Sequence, residues 1–239
     1  MHLTDLLADQ PSLTVISGAA DKTVKQVTSD SRAVQAGGLF FAMKGHQTDG
    51  HNYIKEAIAN GATVIVTDGR TVKTADHICV LVSTQSKADY ASLCSKIYPS
   101  RPDILTAVTG TNGKTSVTQY ISQLLRETGT PCGLLGTLGY GMPGSIESAT
   151  HTTPDVVQVN RVLNRIRNEG GRAAVMEVSS HALDQGRVDN LTMTGAVFTN
   201  LTRDHLDYHG SMEAYGEAKA RLFLREELHF SVINFDDPF

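Results

Sequence analysis

The run Gly110–Thr111–Asn112–Gly113–Lys114–Thr115–Ser116 places two glycines, a lysine and hydroxyls between an apolar stretch of strand length and a helical pattern. Glycines let a backbone turn tightly enough for successive N–H groups to point at phosphate oxygens, and a helix N-terminus adds partial positive charge. In such a loop Lys114 reaches the outer phosphates and the Thr115 hydroxyl helps hold Mg²⁺. The general spacing, Gly-x4-Gly-Lys-Ser/Thr, requires glycine at position 108, where this sequence has Val108. The loop is therefore a shorter Gly-x-x-Gly-Lys-Thr form. It predicts a nucleoside triphosphate site; the plainer alternative is a Gly-rich turn.

Three further features lie downstream. Glu177 closes an apolar strand in Met176–Glu177–Val178–Ser179–Ser180–His181. A carboxylate leaving the C-terminal end of a parallel strand faces the crevice where ligands bind, and with Thr115 it supplies hard oxygen ligands for Mg²⁺. Ser179–Ser180–His181 suggests a serine hydrolase, but no Gly-x-Ser-x-Gly elbow is present, and hydrolysis is set aside. Asn200 to Gly210 is dense in metal- and proton-handling groups, and a cluster of His205, Asp207 and His209 is one option its spacing leaves open. Lys219 falls at the centre of an apolar stripe formed by Met212, Tyr215, Leu222 and Phe223. Either its stem covers apolar surface while the ammonium reaches water, or the amine is buried, loses its proton and reacts with CO₂ to give an anionic carbamate.

The elements that must position these groups form an alternating pattern. Leu39 to Met43, Thr63 to Thr67 and Ile78 to Val82 read as strands. Tyr53, Ile54, Ala57 and Ile58, and later Leu93, Cys94, Ile97 and Tyr98, repeat at helical spacing. Pro99 and Pro102 mark a linker, separating expected domains 1–100 and 101–239. Beyond it, Ile104 to Val108, Ala173 to Val178, Thr194 to Thr199 and Ser231 to Asn234 are predicted strands. Val117, Tyr120, Ile121, Leu124 and Leu125 predict the buried stripe of the helix after the glycine loop. Thr153 and Pro154 predict N-cap and first turn of another helix, and Ser211 caps a last long one. The expected fold is α/β: a small N-terminal α/β domain, then a mostly parallel phosphate-loop α/β domain.

Composition narrows the function classes. The 239 residues are 40% hydrophobic with 21 Lys+Arg against 25 Asp+Glu, a net charge of −4, which argues against a nucleic-acid binder with a basic face. Cys79, Cys94 and Cys132 are too few and too dispersed for a disulfide framework or zinc ribbon. No apolar leader precedes Gln10, and no run is long enough to span a bilayer, so the expected location is the reducing cytoplasm.

A resemblance joins these segments. Ser29–Asp30–Ser31–Arg32, Gly45 to Gly50, Thr109 to Thr115, Thr152–Thr153–Pro154, Met176 to His181, Asn200 to Gly210, Ala218–Lys219 and Asn234 to Asp237 resemble the Mur ligase family in order, over essentially the whole chain. The shortened phosphate loop is the form expected there. The resemblance is nearest to the tripeptide-forming branch. It implies an ATP- and Mg²⁺-dependent ligase of peptidoglycan precursors that joins a diamino acid to UDP-N-acetylmuramoyl-L-alanyl-D-glutamate through an acyl phosphate. It implies that Gly110, Thr111, Asn112, Gly113, Lys114, Thr115 and Ser116 bind ATP, with Asn234 and Asp236 near its base or ribose. Ser29, Ser31, His46, Gln47 and Thr48 then fall in the UDP-sugar region of the first domain, and Thr152, Thr153, Ser179, Gln185 and Arg187 match positions that hold the sugar–peptide. Thr115 and Glu177 would hold one metal; His205 and a carbamylated Lys219 would serve a second metal or its substrate, with Lys114, His205 and Lys219 catalytic. Family members continue into a third α/β domain for the incoming amino acid, so the sequence is expected to be a partial or truncated chain. The alternatives are a non-catalytic UDP-sugar or nucleotide-binding module and a sister Mur or folylpolyglutamate-type ligase.

Overall fold

Short β-branched and aliphatic runs alternate with helical segments along the chain, and the runs assemble into two separate sheets. The computed structural model describes residues 1–45, 48–149 and 151–239. Contacts divide the chain into two units, Met1–Tyr98 and Pro99–Phe239. His46 and Gln47, expected in the UDP-sugar region, lie outside the described residues.

The first unit contains α1 (Leu3–Leu7), β1 (Leu13–Ser17), β2 (Val27–Thr28), β3 (Gly38–Ala42), α2 (Ile54–Ala59), β4 (Ala62–Thr67), β5 (Cys79–Ser83) and α3 (Ser86–Ile97). Its sheet has the order β1-β5-β4-β3-β2, parallel throughout except for β1, which runs antiparallel to β5. Phe40, Ile65 and Val80 are buried at its centre. Two 3-10 turns carry the polar edge, Ser31–Ala33 and Gly50–Tyr53. Each is capped by an aspartate, Asp30 accepting from Arg32 N and Asp49 from His51 N.

The second unit contains β6 (Ile104–Thr109), α4 (Lys114–Glu127), β7 (Cys132–Gly136), β8 (Gly139–Gly141), α5 (Val156–Asn168), β9 (Ala173–Glu177), α6 (Ser180–Asp184), β10 (Gly195–Phe198), α7 (Leu206–His209), α8 (Met212–Ala220) and β11 (Phe230–Ile233). The sheet order is β11-β10-β6-β9-β7-β8, with only β8 antiparallel. β6 lies between β9 and β10, so the loops leaving the C-terminal ends of these three strands meet at one edge, the usual ligand edge of an open parallel sheet. No described helix is long and apolar enough to cross a membrane.

The structure corrects three local expectations. Tyr120 and Leu124 are 64% and 66% exposed, so they do not belong to the buried stripe of α4. The small residues Thr118 and Ser122 are buried there instead, flanked by Val117, Ile121 and Leu125 against Val108, Leu134 and Val175. The N-cap of α5 is Asp155, which accepts from Gln158 N; Thr153 and Pro154 precede the helix. Ser211 does cap α8, accepting from Ala214 N, but the helix ends at Ala220.

Gly133 on β7 lies under Ile166 of α5, where a Cβ would sit 2.6 Å from Ile166 Cδ1. Gly133→Ala is expected to destabilise the fold by about 1–3 kcal/mol through overpacking. In an Ile166→Ala background, itself about 2–5 kcal/mol less stable, the same change should cost far less. Chemical denaturation of the four proteins checks this; strictly additive losses would show that the helix and strand do not meet as described.

Candidate active site

The glycine loop is held by the strand beside it. Gly110 has φ +146°, a backbone few side chains adopt, and a Cβ there would overlap Thr199 Oγ1. Thr111 N donates to Asn200 O at 2.8 Å, Asn112 N to Asn200 Oδ1 at 3.0 Å, and Thr199 Oγ1 to Asn112 O at 2.6 Å. Gly113, at φ +83°, is the N-cap of α4 and has no capping side chain, so the helix opens with its N–H groups toward the loop. Lys114 Nζ reaches back to Gly110 O and Thr111 O, both at 2.9 Å. Burial pulls its pKa below the ordinary lysine value, while Glu177 and Asp204 act in the opposite direction.

Glu177 is 2% exposed at the end of β9. Oε2 accepts from Thr115 Oγ1 at 2.9 Å and Thr137 Oγ1 at 3.2 Å, and Oε1 accepts from Thr137 N at 2.8 Å. A Cβ at Gly136 would overlap this carboxylate, so glycine there makes room for it. Its three hydrogen-bond donors are all neutral. A buried carboxylate with a threonine hydroxyl beside it is a donor set suited to a hard divalent cation that takes its remaining ligands from phosphate and water. Thr137 is a site residue that the sequence did not reveal; a threonine in a strand-end turn carries no signal of its own.

Beside the loop, Lys219 is 1% exposed, which removes the alternative of an ammonium reaching water. Its Nζ donates to Gly110 O at 2.9 Å and lies 4.4 Å from the centre of the Tyr215 ring. Burial, aided by the Lys114 charge, brings its pKa down to about 7 despite the favourable effect of Asp204. Tyr215 also meets Thr111 Oγ1 through its hydroxyl at 3.1 Å, and its ring packs against His205 and His209 at 5.9 and 5.2 Å. Tyr215 occupies the helical stripe that pointed to Lys219, one turn earlier.

His205 sits at the N-cap of α7 with φ +52°, beside His181 at 4.9 Å between ring centres. His209 faces Ser180 Oγ at 2.9 Å. Among the described residues no three His, Cys, Asp or Glu side chains converge on a metal position, so the His205, Asp207 and His209 cluster does not form a cage.

The expected sugar–peptide positions gather around the short helix α6, with Ser179 at its N-cap and Gln185 at its C-cap. Ser179 caps α6 by accepting from Ala182 N at 3.1 Å. Thr153 is buried, with its hydroxyl bonded to Glu177 O and Ser179 N, each at 2.9 Å. With the Thr137 hydroxyl proton given to Glu177, Thr152 Oγ1 donates to Thr137 Oγ1 at 3.2 Å. Arg187 donates to Thr153 O at 2.7 Å and to Gln185 Oε1 at 3.0 and 2.6 Å. Asn234 Nδ2 donates to Thr199 O at 2.8 Å and its Oδ1 accepts from Asp236 N at 3.2 Å. Both residues are exposed beyond β11.

In the first unit a cavity of about 590 Å³ is lined by Ser29, Ser31, Arg32, Thr48, Tyr53 and Glu56 among others. Ser29 Oγ accepts from Tyr90 OH at 3.2 Å, and Ser31 Oγ donates to Glu56 at 2.6 Å. Arg70 and His51 beside Asp49 hold its carboxyl well below the usual carboxylate range, pinning the turn next to Thr48.

Comparison with known proteins finds the Mur ligase middle domain over residues 108–239 and the Mur ligase family catalytic domain over residues 23–103. A UDP-N-acetylmuramoyl-L-alanyl-D-glutamate--2,6-diaminopimelate ligase of Ectopseudomonas mendocina is 49% identical over 221 residues, covering 90% of this chain and 45% of that protein. The ligase of the same name from Coxiella burnetii is 42% identical, covering 91% and 45%. A solved structure of a ligase of that name superposes with a TM-score of 0.81 at 32% identity, over all of this chain and 48% of the other. MurF from Acinetobacter baumannii, at 23% identity and a TM-score of 0.64 over 90% of this chain and 44% of that one, shares the fold. The chain spans about half the length of the curated relatives it matches. With its glycine loop, its buried strand-end glutamate and both domain patterns in order, the chain belongs to the Mur ligase family.

Proposed function

We propose that this chain carries the nucleotide-sugar and ATP portions of a ligase that joins 2,6-diaminopimelate to UDP-N-acetylmuramoyl-L-alanyl-D-glutamate, the reaction in its relatives' names. The observation that carries this reading is the Thr115–Glu177 contact beside Lys114 at the mouth of α4. The first unit receives the uridine diphosphate in the cavity of Ser29, Ser31 and Thr48. The second receives ATP on the Gly110–Ser116 loop, with Asn234 and Asp236 on the nucleoside side, and the peptide end of the acceptor at Thr152, Thr153, Ser179, Gln185 and Arg187. The three cysteines are buried and free, in keeping with a cytoplasmic setting.

In the first step an oxygen of the acceptor's terminal carboxylate attacks the γ-phosphorus and ADP leaves. In the second the amine attacks the acyl phosphate, loses a proton, and inorganic phosphate departs from the tetrahedral carbon. Both steps call for positioning and for neutralisation of phosphoryl charge rather than for a protein nucleophile. The loop N–H groups and the α4 N-terminus hold the phosphates, and Lys114 moves its three-donor ammonium from Gly110 O and Thr111 O onto phosphoryl oxygens. Thr115 and Glu177 would hold Mg²⁺, which supplies charge neutralisation across the phosphates. Arg187 offers its guanidinium to an acceptor carboxylate. His205 and Lys219 both lie against the Tyr215 ring, where a carbamate on Lys219 would give the site a second anionic ligand.

Two outcomes check this. The intact protein, given MgATP, the UDP-muramoyl dipeptide and diaminopimelate, should yield the tripeptide product by mass spectrometry. Lys114→Ala should lower kcat by on the order of 10²–10³-fold; undiminished turnover would exclude the loop from the chemistry. For Lys219, the unprotonated amine that reacts with CO₂ becomes the main form as pH rises through about 7, so ¹³CO₂ labelling should grow across that range. The labelled signal should vanish in Lys219→Ala, and short-chain carboxylates should restore part of that variant's lost activity. Wild-type activity in Lys219→Ala would end the carbamate assignment.

A further inference from the structure

The side chains that would meet the acceptor are themselves held by a residue from another element. Tyr208, on α7, stacks its ring on His181 of α6 with centres 4.1 Å apart. Its hydroxyl donates to Asp184 Oδ2 at 2.9 Å, and Asp184 Oδ1 accepts from Arg221 at 3.2 Å. A carboxylate only accepts, so the tyrosine proton is committed to Asp184 and the hydroxyl offers lone pairs to any other neighbour. That neighbour is Gln185, whose Nε2 donates to Tyr208 OH at 3.2 Å. With its amide nitrogen fixed on Tyr208, Gln185 turns its oxygen to Arg187, which donates from Nε at 3.0 Å and from Nη2 at 2.6 Å. Nη1 is anchored on Thr153 O at 2.7 Å. Three guanidinium bonds and the amide bond to Tyr208 are thereby set in one sense. The fork edge of Arg187 keeps N–H donors that no carboxylate among the described residues takes up in an ion pair.

We propose that Tyr208 is a positioning residue for acceptor binding: through a one-way hydrogen-bond relay from Asp184 to Gln185 it fixes the orientation in which Arg187 meets an acceptor carboxylate. The proposal rests on the reading that Gln185 and Arg187 face the nucleotide-sugar peptide. Among the described residues the Tyr208 contacts are with Gln185, Asp184, His181 and His209 and not with the glycine loop or Glu177, so its effect belongs in acceptor affinity. A competing route exists, since the Tyr208 ring also packs on His181 and His209, and His181 touches His205. Loss through that route would be independent of Gln185.

The test is a double-mutant cycle in the intact protein, using Tyr208→Phe, Gln185→Ala and the pair, with steady-state kinetics and thermal unfolding of each. Tyr208→Phe keeps the ring and removes only the relay. It should raise the KM for UDP-N-acetylmuramoyl-L-alanyl-D-glutamate about 5–10-fold, as loss of the Gln185–Tyr208 bond from the relay would. The KM for MgATP and the unfolding midpoint should stay at the wild-type values. The double variant should bind the acceptor no worse than Gln185→Ala alone. Multiplying effects in the double variant, an unchanged acceptor KM in Tyr208→Phe, or equal losses for acceptor and MgATP would each overturn the proposal. A wild-type protein that turns over with another acceptor and never with this one would instead overturn the functional reading, and the relay proposal with it.

Discussion

A carboxylate is buried at Glu177 with no cationic hydrogen-bond partner among the described residues, and much of the second unit is arranged around keeping it there. Isolated charges are costly to remove from water, so every lone pair the protein can satisfy matters. Thr115 and Thr137 supply three donors, Gly136 gives up its side chain to make space, and Thr153 ties the strand end that carries the carboxylate. These donors come from α4, from the turn after β7 and from the loop before α5. Parallel pairing of β6, β7 and β9 brings them together at one sheet edge. The neutral shell leaves one unit of negative charge next to a phosphate loop, which is what a metal-assisted phosphoryl site requires.

Positive charge is concentrated on the other side of the same loop. Lys114 and Lys219 both donate to Gly110 O, and each is desolvated. Two ammoniums on one carbonyl repel, and an anion placed near either relieves that repulsion. On the proposed function, a bound triphosphate would do this for Lys114, and conversion of Lys219 to an anionic carbamate would do it from within the protein. Tyr215 stands between the two arrangements, with its ring face under Lys219 and its hydroxyl on Thr111. The loop, α8 and the histidine segment are thus coupled through one aromatic ring.

The glycine loop was legible in the sequence because its chemistry demands particular residue types in fixed order. Lys219 stood out in the sequence as a charge in the middle of an apolar stripe, but the stripe alone was better satisfied by an ammonium reaching water; only the family resemblance pointed to burial, which its 1% exposure selects. Helix faces were less so: α4 turns Thr118 and Ser122 inward against the sheet and leaves Tyr120 and Leu124 outside, a choice made by the surface it packs on. β1 escaped notice because only Leu13 of its five residues is buried, so it lacks strand periodicity. Thr137, Tyr208 and Asp184 act through partners distant in sequence or only after α6 and α7 have docked, as with Thr137 and Glu177, 40 residues apart. Such pairings are set by topology and leave no local mark.

The central claim is that Glu177 and Thr115 form the metal side of a nucleotide site. Calorimetric titration of ATP, with and without Mg²⁺, into the wild-type protein and Glu177→Gln tests it most directly. The amide keeps the shape of the side chain and removes its charge. Mg²⁺ should tighten ATP binding to the wild type by about 10-fold or more and leave the variant nearly indifferent to the metal. An equal Mg²⁺ effect in both proteins would contradict the account and place the metal elsewhere.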